Sequence, residues 1–148
     1  MIYLDSSALV KRYLEEAGSN TVRSVITSAD AIATSKLSFP EMLSAFMRKR
    51  RAGEIGSKSL YAVIHKFETD WYRFFIIEFH DELLPKVKAL IEKHLLKAAD
   101  AVHLSSALWL KETTRGDLTF VTSDSNILKA AQEENLHVLN PLDGQERK

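Results

Sequence analysis

The chain has no cysteine, which excludes disulfide stapling, thiolate-bound zinc and iron–sulfur clusters. Any metal it binds must be held by oxygen or imidazole. It also has no apolar run near the roughly 20 residues that a membrane span requires. Residues 1 to 9 lack the basic flank and long apolar centre of a signal peptide, so the expected location is the cytoplasm, away from any membrane. Internal repeats, low-complexity stretches and Pro/Gly/Ser-rich linkers are missing. A length of 148 residues with three prolines and five glycines fits one domain over residues 1 to 143, with 144 to 148 as a frayed tail. An excess of one charge is missing too. Twenty basic residues balance twenty acidic ones, so any nucleic-acid binding must be local rather than driven by the field of the whole molecule.

What is present is an alternation of short apolar runs and amphipathic stretches. Ile2-Tyr3-Leu4 reads as a buried strand that stops at Asp5, followed by a helix starting near Ser6 or Ser7 and fading before Gly18, which reads as its stop. A helix over Thr21 to Ala29 and a strand over Ala31 to Ser35 come next. Ser38 opens a third helix with an apolar stripe of Phe39, Met42, Leu43, Phe46 and Met47, and Ser57 to Tyr72 makes a fourth. A strand over Phe75 to Phe79, a helix through Leu84, Val87, Leu90 and Ile91, and a helix beginning at Ala99 or Asp100 continue the pattern. Strands at Leu118 to Thr122 and Leu136 to Leu139 flank a last helix through Ile127, Leu128 and Ala131. Strands alternating with helices predict a parallel sheet.

In such a sheet, ligands bind outside the carboxyl ends of the strands. Asp5 and Asp124 each follow a strand, and Glu41 and Asp100 each lie at the start of a helix, so the pattern brings all four acids to that edge. Each has an ordinary structural reading as well. Asp5 and Asp124 suit helix N-caps, and Ser38-x-x-Glu41 has the spacing of a capping box. Asp100 shares a helix face with Leu104, Ala107 and Leu108 and therefore needs a polar partner. His103, three residues on, is either that partner or, as we prefer, a satisfied core histidine. The run Arg48-Lys49-Arg50-Arg51 is either a solvated helix end or a phosphate-contacting patch. Trp71, Tyr72, Phe74 and Phe75 suit a core or a dimer face better than a base-stacking platform.

Four carboxylates meeting at one place need a reason. Two of them about 4 Å apart repel by roughly 4 kcal/mol at an effective dielectric of 20. Shared protons, or more naturally a hard divalent cation, relieve this, and oxygen-only ligation selects magnesium or manganese. A water-bearing ion of that kind suits phosphodiester hydrolysis. Ser6, Thr122 and Ser123 are placed to orient the acids or water around them.

The ordered set Leu4-Asp5-Ser6-Ser7-Ala8-Leu9, Phe39-Pro40-Glu41, Asp100-Ala101-Val102-His103-Leu104 and Val121-Thr122-Ser123-Asp124 resembles the PIN-domain family, and within it the VapC-type toxins. The likeness extends through Tyr13, Glu16, Gly18 and Ser19 to the ending Leu136 to Pro141. It implies an α/β/α sandwich around a mostly parallel sheet of four to five strands. It also implies magnesium- or manganese-dependent endoribonuclease activity, homodimerisation and a cognate antitoxin partner. By this resemblance Asp5, Asp100 and Asp124 are metal ligands, Glu41 is a ligand or water-positioning acid, and Ser6 and Ser123 are supporting hydroxyls. Some relatives carry a further acid just past the Asp124 position, where this chain has Ser125, Asn126 and Ile127. The alternative is a catalytically inactive PIN-fold module that binds RNA or a partner. A haloacid-dehalogenase-type phosphatase fits less well, since it needs a second Asp where Ser7 stands.

Overall fold

A computed structural model describes residues 1 to 143; the expected tail, 144 to 148, lies outside the described residues. Five strands, β1 (Ile2–Leu4), β2 (Ile32–Ser35), β3 (Phe75–Ile77), β4 (Thr119–Val121) and β5 (His137–Leu139), form one sheet in the order β3-β2-β1-β4-β5. Every pairing is parallel. The helices are α1 (Ser6–Tyr13), α2 (Ser19–Ser28), α3 (Ser38–Arg51), α4 (Ser57–Trp71), α5 (Leu84–His94), α6 (Ala98–Thr114) and α7 (Ser125–Glu133).

The alternation of side chains along a strand sorts the core into two layers. Ile2, Leu4 and Val121 face one side, where they pack with Ala8, Leu9, Val22, Met42, Phe46 and Phe67 of α1 to α4. Tyr3 and Phe120 face the other, with Leu90, Leu104, Ala107, Ile127 and Ala131 of α5 to α7. The result is the three-layer sandwich expected. α6 is buried on most sides, at Ala101, Val102, His103, Leu104, Ser105, Ser106, Ala107 and Leu110. Its two buried serines donate their hydroxyl hydrogens to the Val102 carbonyl, at 3.0 and 2.7 Å, so neither is left unpaired in the apolar layer.

Several local expectations change. Gly18 does not stop α1, which ends at Tyr13; it adopts φ +90° and leads into α2. β3 is shorter than Phe75 to Phe79, and a single 3-10 turn, Asp81–Leu83, precedes α5. The capping box does not form. Leu37 takes the N-cap position of α3, the Ser38 hydroxyl bonds Thr34 Oγ1 at 2.6 Å, and Glu41 is engaged elsewhere. Trp71 and Phe74 join the aromatic core around Phe67, whereas Tyr72 and Phe75 are exposed.

The chain runs outward from β1 to β2 and β3, then returns to the far side of β1 as β4. The crevice of such a sheet opens where the order reverses, between β1 and β4. Leu4 is in register with Val121, so the residues that follow, Asp5 and Thr122, leave the sheet side by side.

Candidate active site

A cleft of about 720 Å³ opens at this reversal point and is lined by Asp5, Glu41, Asp100 and Asp124 together with Ser6, Ser7, Arg48 and Lys97. The fold therefore brings all four sequence-predicted acids to one place. The turn after β1 supplies Asp5, the first turn of α3 Glu41, the first turn of α6 Asp100, and the turn after β4 Asp124.

Asp5 is only 3 % exposed, and both its oxygens are committed. Oδ1 accepts the Ser7 hydroxyl at 2.7 Å and the Ala8 amide at 3.0 Å, while Oδ2 accepts the Thr122 hydroxyl at 2.6 Å. Asp5 is thus both the N-cap of α1 and a wall of the cleft. Thr122 Oγ1 also accepts the Asp124 amide at 3.1 Å, so one buried hydroxyl ties the β1 and β4 turns together. The Ser123 amide adds a second tie by donating to Ser7 Oγ at 3.1 Å. Asp124 caps α7, accepting the Asn126 and Ile127 amides at 2.9 and 3.4 Å. Asp100 makes no side-chain hydrogen bond to the described residues and stays half-buried.

The electrostatics follow from this geometry. Burial pushes the Asp5 carboxyl above the usual carboxylate range, against the opposing pull of His103 and the hydrogen bonds from Thr122, Ser7 and Ala8. Asp100 is also raised, first by burial, then by the charges of Asp124 and Asp5 and, more weakly, Glu41, with His103 opposing. Asp100 thus lies in the repulsive field of the other three acids. The donors are all oxygens, a set that suits a hard cation such as magnesium or manganese. Among the described residues no three acidic or imidazole side chains converge closely enough to chelate one ion as they stand. A cation here would be held partly through water, as magnesium commonly is.

Residue by residue, the sequence-predicted set divides. Thr122 and Ser123 reach the Asp5 network, and Ser6 lines the cleft, but of the two adjacent serines it is Ser7 whose hydroxyl bonds Asp5. Helical geometry beyond the cap decides which of two adjacent serines turns inward, and the one-dimensional pattern does not carry that choice. In the basic run, Arg48 lines the cleft, whereas Lys49 pairs with Glu54 at 2.7 Å and Arg50 donates to Ser57 at 2.9 Å. Arg51 is exposed at the end of α3. Lys97, directly before α6, carries no signal in the sequence pattern. It lines both the cleft and an adjoining hollow of about 510 Å³ shared with Asp100 and Asp124. His103 partners Glu41 rather than Asp100.

Comparison with known proteins agrees with this architecture. The family model described as PIN domain matches residues 2–133. Ribonuclease VapC45 of Mycobacterium tuberculosis is 33% identical over 112 residues, covering 73% of this chain and 75% of that protein. Among solved structures, FitAB bound to IR36 DNA fragment superposes with a TM-score of 0.70 at 17% identity, covering 96% of each chain. A toxin-antitoxin complex from Klebsiella pneumoniae gives 0.63 at 14%, covering 95% of this chain and 98% of that one. At these identities the structural likeness speaks for the fold. The chain belongs to the PIN-domain family, and its resemblance within that family is to the VapC type.

Proposed function

We propose that this protein is a divalent-metal-dependent endoribonuclease and the toxin of a type II toxin–antitoxin pair. The observation that carries the reading is the single cleft lined by four acids from separate elements. Its support from outside the chain is the likeness, over about three quarters of each sequence, to a protein named as a ribonuclease. In this reading Asp5, Asp100 and Asp124 hold magnesium or manganese, directly or through water, and Glu41 orients the attacking water. A divalent cation bound there supplies a lowered water pKa and positive charge opposite the developing phosphorane-like oxygens. Ser7 and Thr122 keep the Asp5 carboxylate aimed, and Ser123 braces the turn that carries Asp124. Arg48 and Lys97 at the rim offset the charge of the RNA phosphates.

The partners that go with this reading are RNA as substrate, a cognate antitoxin as inhibitor and a second copy of the chain. The test is cleavage of a labelled RNA with magnesium or manganese, with chelator, and by Asp5→Asn and Asp100→Asn. Loss of a cation ligand removes several kcal/mol of transition-state stabilisation, so a rate drop of roughly 100-fold or more is expected. Asp100→Asn is the more telling variant because Asp100 makes no side-chain hydrogen bond among the described residues whose loss could disturb the fold. Cleavage that persists in chelator, or in Asp100→Asn at the wild-type rate, overturns the proposal.

A further inference from the structure

His103 is 1 % exposed and lies one helical turn beyond Asp100 on α6. Its Nε2 is 2.6 Å from Glu41 Oε1, and its Nδ1 is 2.8 Å from the Tyr3 hydroxyl. Tyr3 is fully buried on β1, two residues before Asp5, stacked on Phe120 at 5.3 Å with 9° between the rings and set edge-on to the imidazole. The phenol therefore cannot turn away, and the imidazole is clamped from behind. A carboxylate only accepts hydrogen bonds, so the proton at Nε2 belongs to His103 and points at Glu41. A phenol keeps its proton at neutral pH, so the Tyr3 hydroxyl, 2.8 Å away, can donate to Nδ1.

Glu41 needs such a hold. It is a long side chain in the first turn of α3, 27 % exposed at the cleft, and it does not make the capping contact that its spacing suggests. We propose that His103 is a positioning residue, fixed from behind by Tyr3, that commits Glu41 Oε1 and so leaves Oε2 as the oxygen free to act in the cleft. The line Tyr3–His103–Glu41 joins β1, α6 and α3; Asp5 directly follows β1, and α6 and α3 carry Asp100 and Glu41. It therefore sets the acids' scaffolds against one another as well as aiming one side chain. The consequence for catalysis rests on the nuclease reading; the hydrogen-bond assignment does not.

Two conservative variants separate the contacts. In His103→Gln the amide nitrogen can occupy the Nε2 position and still donate to Glu41. In His103→Asn the amide reaches only the Nδ1 position and keeps Tyr3 alone. With folding checked by circular dichroism, His103→Asn is expected to lower kcat roughly 10- to 100-fold, as loss of an orienting partner commonly does. KM should stay near wild type and His103→Gln should recover most of the rate. Tyr3→Phe, which keeps the ring and removes only the hydroxyl, is expected to lower kcat several-fold and serves if a His103 variant does not fold. Imidazole 15N NMR of the wild type is expected to report a protonated Nε2 whose signal moves in Glu41→Ala. A Gln variant as impaired as the Asn variant, an unchanged kcat in Tyr3→Phe, or a Nε2 signal indifferent to Glu41→Ala overturns the proposal. If the wild type cleaves no RNA under any metal, the nuclease reading fails, and the 15N signals alone still decide whether His103 holds Glu41.

Discussion

Asp100 is where the residue scale is clearest. It is half-buried, repelled by Asp124 and Asp5, and has no hydrogen-bond donor among the described residues to hold its charge. With Asp5 also raised, both carboxyls bind protons more tightly folded than unfolded. The stability they contribute is complete below the ordinary carboxylate range and is lost as the pH rises through it to the raised native values. Asp100→Asn removes one of these charges, so in metal-free buffer it is expected to melt above the wild type. Solvent screening at a half-open position keeps the gain to about 1 kcal/mol, or about 2–4 °C in Tm. The gap between the two proteins should widen as the pH rises from about 4 to 7, and thermal melts across that range check it. Adding magnesium should close the gap by stabilising the wild type more than the variant. A wild type that melts above Asp100→Asn at every pH without metal would mean that the acids do not repel. The acids themselves were legible because each sits at a strand end or helix start; their partners were not. Glu41 and Ser38 have a capping spacing, yet the Thr34 hydroxyl on the preceding strand and the His103 imidazole, 62 positions away, compete for them and win.

At the scale of elements, two short turns place the site, and both depend on buried polar contacts. Thr122 joins the turns after β1 and β4 through the Asp5 carboxylate and the Asp124 amide. Thr122→Val keeps the shape and removes the hydroxyl, leaving those two groups short of a partner at about 1–3 kcal/mol. Urea denaturation is expected to give a lower midpoint with an unchanged m-value. The turn into α2 depends on Gly18 instead. Its φ of +90° suits glycine, and a Cβ there would lie 3.1 Å from Pro141 and 3.2 Å from the Lys11 side chain. Gly18→Ala combines backbone strain with crowding, each costing on the order of 1 kcal/mol, and a midpoint at or above the wild type would contradict this. Most element types were legible because their apolar periodicities are strong. The role of Gly18 was not, because a glycine after a helix can end it or begin the next. The choice depends on what the following residues pack against.

For the whole molecule the relevant number is a net charge of zero, which assigns any RNA contact to particular side chains. Arg48 is in the cleft, while Lys49 is spent on Glu54. In an Asp100→Asn background that blocks cleavage, Arg48→Ala is expected to weaken binding similarly across unrelated RNA sequences. It should also reduce the slope of log K against log salt by about one, with Lys49→Ala nearly silent. Fluorescence anisotropy over a salt series measures this, and equal effects of the two substitutions would put the contact elsewhere. From the sequence alone came the parallel α/β architecture and the four acids. The exclusion of thiolate chemistry also followed from it, because periodicity, strand ends and composition are local properties of the chain. Which serine faces Asp5, which carboxylate His103 serves, and which of four adjacent basic residues reaches the cleft were decided only by the tertiary structure. The first two rest on pairings between residues 62 and 116 positions apart, and a hydrogen bond forms with whichever partner the packing brings within about 3 Å.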